Sequence, residues 1–340
     1  MSEEDFSARR EFLQRIAAAG LLLPLSGFAS ADVPQRLKAP RLKAGDTIAL
    51  CAPAGAIFHE ETIKKASDAF EGAGFKVILG ETLRAQYGYL AGTDTLRANE
   101  LNRLFRDDTV RAIVAMRGGW GCARLLHLLD FGAVRENPKI ICGFSDITTL
   151  LIALRQQTGL VTFHGPVGNS SLGAFTMEHF LRVVRKGEAF TLTQPAEDPV
   201  VTITPGKARG ELCGGNLTVL CSLIGSGYLP DWQGKILLVE ETEEEPYSID
   251  RMLTQLKLAG VLGKISAFAF GKCTKCEAEE PKRSLTLEQV FADHIRPLGI
   301  PAFYGSSFGH VKDKFTLPIG IEAEVDAGTG AITLLEAGVS

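Results

Sequence analysis

The sequence has no cluster of lysine and arginine dense enough to bind a nucleic-acid backbone. Its 36 basic residues are outnumbered by 40 acidic ones, and the formal net charge is −4 at neutral pH. Binding to phosphates needs a basic patch or stripe, so nucleic acid is excluded as a partner. The chain also has no internal repeat and no low-complexity tract. Its 45% hydrophobic and 22% charged residues are ordinary for a globular enzyme.

The sequence also lacks an apolar run long enough to span a membrane. Its best candidate, residues 16–29 (IAAAGLLLPLSGFA), is too short and is interrupted by glycine and proline. This stretch follows paired arginines, Arg9 and Arg10, and ends in the small residues 29–31. The order resembles a twin-arginine export signal, so we expect residues 1–31 to be cleaved near Ala31. The mature protein would then be periplasmic and not stably inserted in a membrane; a fortuitous amphipathic helix is the alternative.

Cysteine is too sparse for a disulfide framework, since there are seven and an odd count leaves one unpaired. Cys273 and Cys276 form an isolated CxxC. Without a second CxxC or a paired histidine motif, this is weak support for zinc. A surface dithiol or disulfide is favoured over a metal site.

What the sequence does contain is a regular alternation of apolar and amphipathic segments. Buried-type strands such as residues 110–116 alternate with helical patterns such as 94–107, which predicts a parallel sheet covered on both faces. The fold class is therefore α/β, with a flavodoxin- or Rossmann-like N-terminal domain over residues 44–170. The turn-rich residues 171–205 are predicted to link it to a β-rich, mixed α/β C-terminal domain at 206–335.

Glycines follow the strand at residues 110–116, in the segment 117–121 (RGGWG). At the carboxyl end of a parallel strand, Gly118 and Gly119 would let backbone N–H groups approach a ligand closely. A phosphate, a carboxylate or a developing oxyanion would suit them. A purely structural turn is the alternative, because such turns are often rich in glycine.

Ser145 follows the next buried strand, within residues 143–147 (GFSDI), where a helix is predicted to begin. The segment matches the G-x-S-x-G nucleophile elbow only in part, because Ile147 occupies the place of the last glycine. Serine is also a favoured helix N-cap. Locally, a cap and a nucleophile both remain open for Ser145.

A serine nucleophile needs a base and a group that orients the base. His310 lies in a loop of small residues that would give its ring room to reach across a cleft, and His164 follows a strand and could line a site. Glu240 ends an apolar strand that could aim its carboxylate rigidly. The acidic residues that follow it, at 241 and 243–245, are predicted to form a solvated loop.

Six segments together resemble the LD-carboxypeptidases, the serine-peptidase family that includes the microcin-immunity peptidases. They occur in family order between about residues 45 and 330 and read RGGWG, GFSDIT, FHGP, CGGNLTVLCSLIGSGYLPD, ILLVEETEEEPYSIDRML and SSFGH…TLPIG. The resemblance implies an N-terminal α/β domain and a C-terminal β-rich domain with the site between them. It further implies a homodimer that needs no metal or other cofactor.

By the same resemblance, Ser145 is the nucleophile, His310 the general base and Glu240 the acid that orients the base. The N–H groups of Asp146 and of the turn at residues 118–119 are expected to hold the oxyanion. The implied reaction is hydrolysis of the amide between an L-configured centre and a terminal D-residue, usually the D-alanine of a murein tetrapeptide. Trp120 replaces a residue that is often tyrosine, which leaves details of the pocket open.

The best-known family members recycle murein in the cytoplasm, whereas the export signal here predicts action on periplasmic murein fragments. One alternative is a microcin-type amidase that acts on aminoacyl-nucleotide conjugates, because the triad would be shared. Another is a non-catalytic periplasmic ligand-binding protein in which Ser145 is only a cap. The complete Ser/Glu/His set argues against this last alternative.

Overall fold

The computed structural model of the protein describes residues 34–340, and the predicted export signal at residues 1–31 lies outside them. Residues Gln35–Ser340 form one unit built around two β-sheets. Its helices are α1 (Glu60–Gly72), α2 (Asp94–Arg106), α3 (Phe131–Glu136), α4 (Thr148–Thr158), α5 (Ala174–Leu181), α6 (Leu217–Ser222), α7 (Pro246–Leu258) and α8 (Leu287–His294). Its strands are β1 (Thr47–Cys51), β2 (Lys76–Leu79), β3 (Val110–Ala115), β4 (Ile140–Gly143), β5 (Thr162–His164), β6 (Phe190–Leu192), β7 (Val201–Thr204), β8 (Lys207–Asn216), β9 (Ile236–Thr242), β10 (Ala267–Thr274), β11 (Ala302–Ser306), β12 (Leu317–Ile319), β13 (Glu322–Asp326) and β14 (Ala331–Leu334).

The first sheet has six strands in the order β12-β5-β4-β3-β1-β2 and is parallel from β5 to β2. Alternate residues of its strands enter different hydrophobic cores: Ile48 and Leu50 lie in one core, and Ala49 and Cys51 in the other. Both faces of these strands are therefore buried, which explains why they read as continuous apolar runs. The predicted parallel sheet is confirmed.

The second sheet has eight strands in the order β6-β14-β13-β8-β9-β10-β11-β7. Strands β8 to β11 are parallel, and antiparallel strands extend the sheet at both edges. Helix α7 connects β9 to β10, and α8 connects β10 to β11, as parallel neighbours require. The predicted mixed, β-rich C-terminal part is confirmed.

Three features depart from the sequence analysis. Residues 171–205, predicted as a linker, contain α5, β6 and β7. The ten-residue strand β8 escaped prediction because its glycines are unusual in strands. Strand β12 returns to the first sheet and pairs antiparallel with β5. The domain boundaries themselves stay a prediction.

The two sheets meet where α4 contacts the end of β8. The backbone N–H of Asn216 donates to the Thr148 hydroxyl at 3.0 Å, and a Cβ on Gly215 would overlap the side chain of Thr148. Because α4 begins just after residue 145 and β9 runs beside β8, this contact brings the carboxyl ends of β4 and β9 to the same region.

Cys273 and Cys276 are joined in a disulfide, one of the two forms that the sequence left open. Of the helices described, none has the length and apolar character needed to cross a membrane.

Replacing Gly214 with alanine tests the packing of β8 against β9. Gly214 has φ +146°, and a Cβ there would overlap the backbone carbonyl of Leu238. We expect Gly214→Ala to lower the melting temperature by roughly 5 °C or more, because the strand must shift or strain. Gly263→Ala is the control, since a Cβ there meets no atom within 4 Å. Equal melting temperatures for both variants would contradict this strand geometry.

Candidate active site

Ser145 lies at a sharp turn beyond the end of β4. It has φ +64°, a left-handed conformation that non-glycine residues rarely adopt, and it starts a short 3₁₀ helix (Ser145–Ile147) that leads into α4. Phe144 is the N-cap of that turn, and no side chain provides a cap hydrogen bond there. The helix-cap interpretation of Ser145 is therefore wrong. Such backbone strain concentrates at functional sites.

The glycine loop at residues 117–121 packs directly against Ser145. A Cβ on Gly118 would lie 2.6 Å from the Ser145 Cβ, 2.7 Å from its Oγ and 3.2 Å from the backbone nitrogen of Asp146. Only glycine permits this approach. Within residues 34–340, the N–H groups of Gly118 and Gly119 donate to no acceptor. The structure thus brings Gly118 and Asp146 together at Ser145, whereas Gly119 packs against Gly55.

The Asp146 side chain fixes this loop, a role that the sequence did not indicate. Its Oδ2 accepts a hydrogen bond from the backbone N–H of Cys122 at 2.8 Å, and the residue is buried. Burial raises the pKa of Asp146, although the Cys122 N–H opposes the shift. The carboxyl group therefore ties the residue after Ser145 to the end of the glycine loop.

Glu240 and His310 form a hydrogen-bonded pair in which the carboxylate is fully buried and the ring is partly exposed. The Glu240 side chain is fully buried near the end of β9, and its Oε2 accepts from His310 Nδ1 at 2.7 Å and from the His310 backbone N–H at 3.2 Å. Since Nδ1 donates to the carboxylate, the neutral ring presents Nε2 as an acceptor.

Gly309 lets the histidine loop reach this carboxylate. It has φ +89°, and a Cβ there would overlap the Glu240 carboxylate. The glycine before His310 is therefore required by close approach as well as by backbone conformation.

The pKa shifts of the pair have opposite signs. Burial opposes ionisation of Glu240, but the hydrogen bond and charge of His310 outweigh it and lower its pKa. Burial likewise opposes protonation of His310, but Glu240 outweighs it and raises the pKa of the ring. Because the pKa of Glu240 is lowered, its carboxylate contributes full stability above its ordinary pKa of 4.5. Because the pKa of His310 is raised, its imidazole contributes full stability below its ordinary pKa of 6.5. The stabilisation is complete between these values. It is lost as pH falls through the Glu240 pKa or rises through the His310 pKa.

Phe144 connects the two halves of the site. Its ring meets the His310 ring edge-on, with centroids 4.8 Å apart. Because Phe144 directly precedes Ser145, this contact keeps the serine and the histidine in the same region. Within the described chain no hydrogen bond joins the Ser145 hydroxyl to His310. Such bonds are often long without substrate and tighten when it binds.

His164, considered from sequence as a residue that could line the site, is buried behind it. Its ring lies between Phe144 and Phe308, and neither ring nitrogen has a hydrogen-bond partner among the described residues. Burial lowers its pKa to about 4, so the ring is neutral at ordinary pH.

Glu241 does not belong to a solvated acidic loop, and that prediction was wrong for this residue. It is buried, and it accepts hydrogen bonds from the Asn216 amide and the Thr218 N–H, each at 2.8 Å. Alternation along β9 sends it to the face opposite Glu240, where α6 begins. It anchors the start of that helix.

Acidic, histidine and cysteine side chains do not gather in groups of three or more that could hold a metal ion anywhere in residues 34–340. The chemistry that the described side chains offer is that of a serine, a histidine and a carboxylate beside unpaired backbone N–H groups. This combination is typical of acyl transfer through a covalent intermediate.

Comparison with known proteins gives matches along most of the chain. Residues 48–165 match the family model of the LD-carboxypeptidase N-terminal domain, and residues 209–325 match that of the LD-carboxypeptidase C-terminal domain. A probable murein peptide carboxypeptidase of Bacillus subtilis is 39% identical over 308 residues, which covers 89% of this chain and 95% of that protein.

Solved structures agree with these matches. The microcin C7 self-immunity protein MccF, in complex with aspartyl sulfamoyl adenosine, superposes with a TM-score of 0.84 at 27% identity, covering 89% of this chain and 100% of that one. A muramoyltetrapeptide carboxypeptidase from Oxalobacter formigenes superposes with a TM-score of 0.76 at 31% identity, covering 85% and 97%.

Replacing Glu240 with glutamine tests the electrostatics of the pair. Glutamine keeps the shape of the side chain but removes the charge that favours protonated His310, so the pKa of His310 should fall. An NMR titration of the His310 ring protons would measure it. Glu188→Gln is the control, because Glu188 is exposed and pairs with Arg182 away from the site. A His310 pKa that responds equally to both variants, or to neither, would contradict the pairing.

Proposed function

Since the chain belongs to the LD-carboxypeptidase family and is a serine-type carboxypeptidase, we propose that it releases the terminal D-residue, usually D-alanine, from murein tetrapeptides. The observation that carries the proposal is the Glu240–His310 hydrogen bond, which lies beside a strained serine. A murein tetrapeptide carboxypeptidase of Pseudomonas aeruginosa, 32% identical over 289 residues, supports this substrate class.

In the proposed mechanism Ser145 attacks the scissile carbonyl and forms an acyl-enzyme. His310 Nε2 takes the hydroxyl proton and passes it to the leaving amine of the D-residue. Glu240 holds the ring in the required tautomer and stabilises the imidazolium. Water, deprotonated by His310, then attacks the ester, releases the shortened peptide and restores Ser145.

Charge develops on the carbonyl oxygen during both steps. We assign its stabilisation to the N–H groups of Asp146, Gly118 and Gly119; Gly118 packs against Ser145, and the two glycine N–H groups have no acceptor among the described residues. One such donor is worth about 3 kcal/mol of the activation barrier. The positive φ of Ser145 contributes to this arrangement, because the same turn carries both the Ser145 hydroxyl and the N–H of Asp146.

A microcin-type amidase activity is the second candidate. The similarity to MccF, whose solved complex contains aspartyl sulfamoyl adenosine, favours it. The proposed triad would serve either substrate, since both reactions cleave an acyl bond. Hydrolysis of an aminoacyl sulfamoyl adenosine, without release of D-alanine from a tetrapeptide, would select this candidate.

The residues before Asp32 support a periplasmic location. The paired arginines, the short apolar stretch and the small residues before Asp32 follow the order of a twin-arginine signal. We propose that the enzyme is exported by the twin-arginine machinery and acts on murein fragments there. A homodimer, implied by the family resemblance, stays a prediction.

Replacing Ser145 with alanine tests the nucleophile. Purified protein should release D-alanine from a murein tetrapeptide, and Ser145→Ala should lower kcat by roughly 10³-fold or more. Ser171→Ala, at an exposed serine, is the control and should retain full activity. Equal D-alanine release by wild type and Ser145→Ala would refute the nucleophile assignment.

Substituting lysine for both Arg9 and Arg10 tests the export proposal. The twin-arginine machinery reads the arginine pair, so the double variant should remain in the cytoplasm as uncleaved precursor. Immunoblots of periplasmic and cytoplasmic fractions would show the change in location and size. Lysine at Arg15, outside the pair, is the control. Normal export of the double variant would contradict the proposal.

A further inference from the structure

Lys314 lies buried beside the candidate active site, in the loop that follows His310. It is 3% exposed, and its backbone N–H donates to the Thr176 hydroxyl at 3.2 Å. Its Nζ lies 5.1 Å from the centre of the Phe144 ring, the same ring that contacts His310. The ammonium group therefore lies next to the residue that precedes Ser145.

This ammonium group has no hydrogen-bond partner among residues 34–340, and it forms no salt bridge with any of them. Buried cations are normally paired, because removal from water is costly without compensation. Burial lowers the pKa of Lys314 to about 8, while the charges of Glu240 and Asp313 oppose the shift. Its other titratable neighbours are His164 and His310, whose pKa values its charge lowers.

Two arginines near the site are already committed to backbone carbonyls. Arg117 donates to Gly118 O at 3.3 Å and to Ala56 O at 3.2 Å. Arg97 donates to Pro53 O at 2.6 Å and pairs with Asp94. Both guanidinium groups hold the loops of the first sheet in place. Lys314, in contrast, has its hydrogen-bonding capacity unused.

A carboxypeptidase must recognise a free carboxylate one residue beyond the scissile carbonyl. The carboxylate is thus held within a few bonds of the atom that the nucleophile attacks, so a cation that binds it must lie close to the nucleophile. We propose that Lys314 binds the terminal carboxylate of the substrate and restricts cleavage to the last residue. This rests on the proposed function, and it supplies the partner that the ammonium group lacks.

The proposal concerns specificity, so its test compares two ligands that differ only in the terminal group. Binding of a murein tetrapeptide and of its C-terminal carboxamide would be measured by calorimetry, with Ser145→Ala as the background to prevent turnover. The free acid should bind roughly 10- to 100-fold more tightly than the carboxamide, because hydrogen bonds between charged groups are the stronger ones.

Lys314→Met, which keeps length but removes charge, should weaken binding of the free acid to the level of the carboxamide. Lys314→Arg should keep part of the preference, and Lys312→Met, at an exposed lysine of the same loop, should keep all of it. Melting temperatures would show that each variant is folded.

Three results would overturn the inference. The first is that Lys314→Met keeps the preference for the free acid. The second is that Lys314→Met weakens binding of both ligands equally, as expected if Lys314 acted only through Glu240. The third is that the Ser145→Ala background shows no preference. Release of D-alanine by the unmodified enzyme tests the proposed function separately. If wild type releases D-alanine but the preference for the free acid survives Lys314→Met, only the inference about Lys314 is refuted. If Lys314→Met abolishes the preference but wild type releases no D-alanine, only the proposed function is refuted.

Discussion

The hydrogen bond between Glu240 and His310 is the interaction on which the rest of the site depends. A fully buried carboxylate is costly unless it is paired, and His310 provides both the hydrogen bond and the compensating charge. The bond selects the tautomer that leaves Nε2 free, and it fixes the ring where it meets Phe144. Glu240, near the end of β9 in the second sheet, thereby determines the orientation of His310 towards Ser145, which follows β4 in the first sheet.

Close backbone approach is the second constraint, and glycines satisfy it both at Ser145 and at Glu240. Gly118 allows a loop to lie against Ser145, and Gly309 allows the histidine loop to reach Glu240. A side chain would overlap Ser145 at the first position and the Glu240 carboxylate at the second. The glycine loop, with its unpaired N–H groups, packs against Ser145, and the unpaired ammonium of Lys314 lies near the Phe144 ring. In the mechanism that we propose, the anionic intermediate binds at the first place and the anionic substrate terminus at the second.

Much of the fold could be predicted because buried parallel strands such as β3 carry an unmistakable apolar run. Strand β8 could not, since its glycines are explained only by contacts with β9 and α4. The candidate site residues were chosen by strand-end position and family resemblance. Local sequence alone favoured a helix cap at Ser145, because a positive φ leaves no trace in residue type. Burial of Glu241 and Lys314 depends on distant partners such as Asn216 and Phe144, which no local pattern reveals.

The central claim is that Ser145, served by this pair, forms the covalent intermediate. Its most direct test is rapid acid quenching of the enzyme during turnover of a murein tetrapeptide, followed by mass spectrometry of the digested protein. An ester of the shortened peptide on the fragment that contains Ser145 is the predicted result. D-alanine release without any acyl adduct at Ser145, under conditions that trap such esters on a known serine peptidase, would contradict it.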